Sequence, residues 1–138
     1  MQTIIVFIKK NIDIKMGIAG AVVMAVIVFY INYHGSRDTL GASTAALKQG
    51  GYTFLFGGII MRMSERISLA ISVNLIAIAL ACIIPSAISI LLTYGLHSLK
   101  GTPKPLQSTL VTAFFVIPST LIWAFIQRQK KKKTNHYQ

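Results

Sequence analysis

The sequence predicts an all-α, polytopic membrane protein, built as a bundle of four transmembrane helices that divides into two tandem helical hairpins. Hydrophobic residues make up 54% of the 138 residues, and only 12% are charged. The mean hydropathy is +0.63, although fourteen Lys and Arg against three Asp and Glu give a formal net charge of +11. A soluble nucleic-acid-binding protein of this charge would spread basic residues over a wetted surface, so long uncharged stretches indicate a membrane protein.

Four apolar stretches are the candidate crossings within a predicted transmembrane domain at residues 17–127. They cover about 17–33, 41–61, 67–96 and 108–127. A crossing helix needs about 20 residues, and each stretch is close to that length or longer. The third stretch contains thirty residues, which at about 1.5 Å per residue exceeds one crossing and falls short of two. We therefore expect it to be a single tilted or kinked span.

Residues 1–16 form an N-terminal segment that is either an amphipathic helix in the membrane interface or an extended lead-in. Four isoleucines repeat at helical spacing while lysines occupy other faces. The uncharged stretch that follows has no pair of small residues in A-x-A spacing at its exit. The pattern therefore predicts an uncleaved signal anchor.

The distribution of basic residues decides the number of crossings. The second stretch is the least apolar, because it contains Lys48 and five glycines. If it crosses, ten of the fourteen basic residues lie on the side of both termini; if it does not, the N-terminal lysines and the basic tail face opposite sides, which the positive-inside rule disfavours. We predict four crossings in a cell membrane such as the cell inner membrane, with both termini cytoplasmic.

The tail at residues 128–138 is a polybasic segment next to the last span. Such a segment is primarily a topology anchor, and a specific contact with lipid or RNA is the alternative. Its lysine run has no aromatic residues between the charges that would stack on bases. Membrane lipids are therefore predicted partners and nucleic acid is not.

Two outer loops resemble each other. The segments 34–39 (HGSRDT) and 97–102 (HSLKGT) both begin with His, carry a basic residue at the fourth position and end with Thr. Tandem hairpins of this kind would be parallel repeats about an axis along the membrane normal. Chance, together with the need for polar residues in outer loops, explains the similarity equally well.

Small residues recur at intervals of three and four along the first two spans. Such stripes let helix backbones approach closely in a membrane. A narrow path for a solute is the alternative to packing within the bundle or between protomers. The residues that we predict for helix packing are Gly17, Ala21, Gly50 and Gly57.

The predicted substrate contacts combine a basic outer loop with polar groups near the midplane. Pro85 and Pro118 each stand in an Ile-Pro-Ser sequence, and each would free a backbone carbonyl inside a span, although a plain kink is the alternative. The polar side chains of the third span share one sector, which favours either hydrogen bonding between helices or a solvated path. The candidate substrate-binding residues are Arg37, Lys48, Asn74, Pro85, Ser86, His97, Lys100, Lys104, Pro118 and Ser119.

Most enzyme classes are excluded by the motifs that the sequence lacks. There is no GxxxxGK[ST], GxGxxG, HExxH or GxSxG pattern, and the single Cys82 cannot form a disulfide within the chain. His34 and His97 could share a metal ion, but ordinary interfacial histidines are the simpler interpretation. We predict no catalytic residues, metal or cofactor.

Two functional hypotheses follow from this sequence. The first is a small transporter, flippase-like or channel-like protein for an anionic solute or lipid headgroup, working as a homo-oligomer or with partner membrane subunits. The second is a non-catalytic accessory or assembly subunit of a larger membrane complex. The four outer basic residues favour the first hypothesis, and the glycine stripes favour the second.

Overall fold

The computed structural model describes residue 6, residues 10–99 and residues 105–136, and every regular element in these ranges is helical. We name the helices α1 (Ile14–Ser36), α2 (Thr39–Tyr52), α3 (Gly58–Ala70), α4 (Asn74–Leu99) and α5 (Pro105–His136). A π-helical segment, Thr53–Gly57, connects α2 to α3. The prediction of an all-α fold is confirmed for this part of the chain. Half of the predicted N-terminal segment, as well as Lys100 and Lys104, lies outside the described residues.

Three helical segments in the described ranges are long and apolar enough to cross a membrane. They are Ile14–Gly35, Asn74–Leu99 and Thr109–Thr134, and they match the first, third and fourth predicted spans. Residues 41–61, the second predicted span, are helical but divided among α2, the π-helical segment and α3. The structure thus supports a membrane protein with three candidate spans.

The chain divides into two compact units, residues 1–62 and 63–138. The first unit is a hairpin with a short turn between α1 and α2. Arg37 adopts a left-handed backbone conformation (φ 57°), and its N–H donates to the carbonyl of Tyr33 over 2.8 Å, which ends α1. The Asp38 side chain then accepts a hydrogen bond from the N–H of Leu40 and starts α2. Two adjacent residues therefore reverse the chain.

Close backbone contacts hold the return segment, residues 39–58, against α1. A Cβ atom on Gly50 would lie 3.3 Å from both the carbonyl oxygen of Ala21 and the Cβ of Ala25. A Cβ on Gly17 would lie 2.8 Å from the carbonyl oxygen of Phe54, a distance that real Cβ atoms do not reach. At the start of α1, the N–H of Asp13 donates to the carbonyl of Gly58 over 2.9 Å. The return segment therefore accompanies α1 along its length.

The second unit contains a hairpin of α4 and α5, packed through small residues. The buried side chains on α4 include Ala77, Ala81 and Pro85, while Ala124 on α5 is also fully buried. Small side chains allow close approach where water supplies no hydrophobic drive between helices. The large apolar side chains of this unit lie mainly outside the seam, as expected for helices that face lipid.

The third predicted span began too early. Residues 67–70 belong to α3, residues 71–73 are not helical, and α4 begins only at Asn74. Ile71, Ser72 and Val73 include no proline or glycine, so the strongest local signals of a helix break are missing from the sequence here. A residue on α5, Arg128, binds the carbonyls at this break.

Candidate functional site

Arg128, near the cytoplasmic end predicted for α5, makes five hydrogen bonds within the second unit. It is only 7% exposed. Its Nε donates to Oδ1 of Asn74 over 3.0 Å, and one terminal nitrogen donates to the carbonyls of Ser68 (3.0 Å) and Ile71 (2.7 Å). The other donates to the carbonyl of Ser72 over 2.8 Å and also to Oδ1 of Asn74. All five N–H groups of the guanidinium are thereby used.

These bonds satisfy backbone carbonyls at the break between α3 and α4. The last four carbonyls of an α-helix have no partner within the helix, and the helix dipole makes this end negative. Arg128 supplies donors to the carbonyl of Ser68 in α3 and to those of Ile71 and Ser72 in the break. Lys131 adds a hydrogen bond of 2.8 Å to the carbonyl of Leu69. A cationic cap from α5 therefore stabilises the end of α3.

The partners of Arg128 are all neutral oxygen atoms. The carbonyl dipoles solvate the guanidinium, but they do not cancel its charge as a carboxylate would. Lys131 and Lys132 follow on the next turn of α5, and both side chains are exposed. The end of the hairpin therefore keeps a net positive charge.

Two open clefts of about 260 Å³ each adjoin Arg128. The first, which we call the basic cleft, is lined by Ser72, Asn74, Arg128, Lys131 and Lys132. The second, the apolar groove, is lined by Asn74, Leu75, Ile78, Phe125, Arg128, Gln129 and Lys132. Because three residues line both clefts, a cationic surface passes directly into an apolar one.

A second polar cluster lies within the α4–α5 seam. The hydroxyls of Ser86 and Thr120 form a hydrogen bond of 2.9 Å, and the hydroxyl of Thr120 also lies 2.9 Å from the carbonyl of Val116. Ser64 of α3 donates to the carbonyl of Thr120 over 3.3 Å. The thiol of Cys82 lies 3.6 Å from the carbonyl of Ile117. These groups bond to one another and join the helices.

The predicted midplane residues are only partly brought together. Pro85 and Ser86 are buried in the seam, whereas Pro118 and Ser119 lie on an exposed face of α5. Thr120, one position beyond Ser119, is the residue that meets Ser86. The sequence has polar residues on several faces of α5, so it does not single out Thr120 as the partner of Ser86.

The predicted outer residues occupy separate places. In the first unit, Arg37 caps α1 with its guanidinium carbon 5.9 Å from the centre of the Tyr33 ring, and Lys48 is exposed. In the second unit, His97 is half-buried near the end of α4. Among the packing residues, Ala21 and Gly50 lie at the α1–α2 contact, and Gly17 lies against Phe54 of the π-helical segment. The nearest side-chain atom to a Cβ on Gly57 is the methyl group of Thr53, at 3.6 Å.

The arrangement around Arg128 can bind an anion beside an apolar chain. The sequence pattern places Asn74 among the candidate substrate-binding residues, whereas it places Arg128 in the basic tail, a topology anchor with lipid or RNA contact as the alternative. Within the described ranges, no group of three His, Cys, Asp or Glu side chains is placed to hold a metal ion. No family model, curated protein or solved structure matches this chain.

Proposed function

We propose that this chain is a four-span membrane protein that associates with anionic lipid through the cytoplasmic end of its α4–α5 hairpin. The observation that carries the proposal is the continuation of α5 beyond its apolar part. The helix runs without interruption to His136, and Lys130 to Lys133 are all exposed. At about 1.5 Å per residue, this extension reaches roughly 12 Å past Arg128.

The positions of these lysines suit the surface of an anionic leaflet. Each basic residue near such a surface gains about 1 kcal/mol, and the gain decays within a Debye length. Arg128 is fixed to the α3–α4 break, so the root of the extension is held at a defined point on the hairpin. Because α5 continues as a helix from this fixed point, Lys130 to Lys133 are held close to the end of the hairpin, where lipid headgroups would lie. This placement supports association with headgroups rather than with dissolved anions.

Four crossings are supported by the pairing of α1 with its return segment. The twenty residues 39–58 run beside α1 from its C-terminal turn back to Asp13. Twenty helical residues span about 30 Å, the thickness of the hydrocarbon core. If α1 crosses the membrane, contacts at Gly17 and Gly50 draw the return segment across the same depth. Lys48 is exposed and can extend its amine toward the headgroups.

The structure favours binding of an anionic lipid headgroup over transport of a solute through the second unit. Transport through the second unit would use polar groups that are accessible near the midplane. The hydroxyls of Ser86 and Thr120 instead bond to each other in a seam of buried small residues. The exposed basic end is the more suitable place for an anionic headgroup.

An accessory or assembly subunit remains the second candidate function, favoured by the surface of α1. Only 6% of the residues are buried in an apolar 18-residue window of Ile14–Gly35, compared with 28% in such a window of Asn74–Leu99. Val22 and Val26 are among its exposed side chains. A photo-crosslinking residue at Val22 tests this function: a protein adduct of defined mass supports it, while adducts with lipid alone count against it. An adduct of twice the chain mass identifies a second copy.

Topology is tested by cysteine accessibility in sealed vesicles, after Cys82→Ala removes the native thiol. Gly35→Cys lies beside the first turn, and Ser72→Cys lies in the exposed α3–α4 break. Four crossings predict that these two thiols react from opposite sides, and that Lys133→Cys reacts from the side of Ser72→Cys. Reaction of Gly35→Cys and Ser72→Cys from the same side would contradict the second crossing.

The association with anionic lipid is tested with Trp123, the single tryptophan of the chain. The Nζ of Lys130 lies 5.5 Å from the centre of its ring, so this fluorophore reports on the basic end. The protein is reconstituted in phosphatidylcholine vesicles with an equal fraction of brominated phosphatidylglycerol or brominated phosphatidylcholine. We expect stronger quenching by the anionic lipid, and loss of the difference when Lys130 to Lys133 are replaced by Gln. Equal quenching of the native chain by both lipids would refute the proposal.

A further inference from the structure

We infer that the basic cleft and the apolar groove form one stoichiometric site for a single anionic phospholipid. The phosphate would lie between Lys131 and Lys132, and one acyl chain would lie along Leu75, Ile78 and Phe125. This inference rests on the proposed function, because it requires anionic lipid at this end of the hairpin. It goes further in assigning the headgroup and the acyl chain to particular side chains.

The available donors identify the headgroup position. Arg128 uses all of its N–H groups on neutral oxygens, so it contributes charge to the cleft rather than hydrogen bonds to a ligand. Lys131 gives one of its three N–H groups to the carbonyl of Leu69. Lys132 lines both clefts and is exposed. Lys131 and Lys132 therefore have donors that can reach a phosphate oxygen in the basic cleft.

The electrostatic surroundings also favour an anion. Arg128 caps the negative end of α3, which would otherwise oppose a phosphate at this point. The N-terminus of α4 lies at the same place, because Asn74 is its first residue and Ala77 makes the 2.9 Å backbone bond to Val73. This is the positive end of a helix of 26 residues. The positive end of the α4 dipole and the lysines therefore both attract an anion to this point.

The apolar groove distinguishes a lipid from a soluble anion. Leu75 is 79% exposed and Phe125 is 52% exposed, and both belong to the groove that continues from the basic cleft. A free phosphate would fill only the basic part and leave these side chains uncovered. A phospholipid places charged and apolar atoms next to each other in the same order as the two clefts. Charge complementarity and this continuity commit the site to an anionic phospholipid.

The test is native mass spectrometry of the full chain released from detergent micelles with added phosphatidylglycerol. We expect one retained lipid per chain, in preference to phosphatidylethanolamine at the same concentration. Lys132→Gln should weaken retention about fivefold, the factor expected from losing one lysine near an anionic group. Lys133→Gln is the matched control, because it removes the same charge from an exposed neighbour that does not line either cleft.

Two further arms separate the source of the phosphate and the role of the groove. Glycerol phosphate should be retained far more weakly than phosphatidylglycerol, since it lacks the acyl chain. Leu75→Ser should weaken retention of the lipid without changing the response to glycerol phosphate. Leu75, Lys132 and Lys133 are all exposed, and circular dichroism in detergent will verify that each variant keeps its helices.

Several results would overturn the site. Equal weakening by Lys132→Gln and Lys133→Gln would show attraction to the overall charge, and equal retention of glycerol phosphate would show a soluble-anion site. In either case the preference of Trp123 quenching for anionic lipid would persist, so the proposed function would survive. If Trp123 of the native chain is quenched equally by the anionic and the zwitterionic lipid, the proposed function and this inference are both overturned.

Discussion

Arg128 of α5 binds Asn74, the first residue of α4: the Nε of Arg128 donates to Oδ1 of Asn74 over 3.0 Å. The same guanidinium binds the carbonyls at the end of α3 and in the break that follows it. One side chain thus fixes three helical elements to one another. Its five donors meet only neutral acceptors, so this junction also retains its positive charge.

Replacing Arg128 with Met should cost about 3 kcal/mol of stability. The substitution keeps most of the side-chain volume but leaves the carbonyls of Ser68, Ile71 and Ser72 without their donor. The bond to Ser68 is buried, those to Ile71 and Ser72 are partly buried, and an unsatisfied buried polar group costs about 1–3 kcal/mol. Arg128→Lys should recover only part of the loss, because an ammonium cannot reproduce the planar geometry of the guanidinium. Unfolding in mixed detergent micelles, followed by circular dichroism, measures the difference.

The control for this prediction is Lys133→Met, which also removes one positive charge from α5. Lys133 is exposed, and surface substitutions of this kind usually change stability by less than about 0.5 kcal/mol. If Arg128→Met and Lys133→Met unfold at the same detergent fraction, the cap does not stabilise the α3–α4 break.

Asn74→Asp should preserve the junction while weakening the attraction for anions. The aspartate oxygen can still accept from Arg128, but it places a carboxylate in the lining of both clefts. We expect unfolding stability equal to or above that of the native chain, together with reduced retention of phosphatidylglycerol in native mass spectrometry. Unchanged lipid retention would indicate that the positive charge beside Asn74 plays no part in binding.

The apolar helices could be predicted from the sequence because their cause is local. The predicted spans 17–33, 67–96 and 108–127 correspond to the longer helices α1, α4 and α5. The break before Asn74 could not be found in this way, because Arg128 lies 57 residues beyond Ile71, whose carbonyl it binds. The positive-inside rule counts Arg128 as a charge on one side of the membrane, and it carries no information about the carbonyls that the side chain meets.

The polar cluster in the α4–α5 seam was predictable in chemistry more than in position. Proline and serine in α4 indicated a polar point in the hairpin, and Ser86 is indeed buried there. Its partner depended on how α5 is rotated about its axis, which turns Thr120 inward and Ser119 outward. An apolar helix with polar residues on several faces leaves that rotation undetermined until the helix packs.

Thr120→Val should destabilise the α4–α5 hairpin modestly. The isosteric change removes the hydroxyl that bonds to Ser86, and such contacts in membrane proteins average about 0.6 kcal/mol. Combined with Ser86→Ala, the loss should be less than additive, because the two substitutions remove one shared bond. Ser119→Ala is the control on the adjacent exposed position. A loss for Ser119→Ala as large as that for Thr120→Val would contradict the observed rotation of α5.

Gly50→Leu should separate α1 from its return segment, whereas Gly51→Leu should not. Even a Cβ on Gly50 would lie 3.3 Å from the Ala21 carbonyl, while one on Gly51 would have no atom within 4 Å. Overpacking a tight contact costs about 1–3 kcal/mol, and both variants carry the same loss of a helical glycine. Disulfide trapping between Ala25→Cys and Ala46→Cys, in the Cys82→Ala background, measures the separation. Ala25 of α1 lies at the Gly50 contact, and Ala46 is a buried residue of α2 about one turn before Gly50, so trapping should fall sharply for Gly50→Leu and stay at the reference level for Gly51→Leu. Equal trapping in the two variants would mean that Gly50 does not govern the approach of these helices.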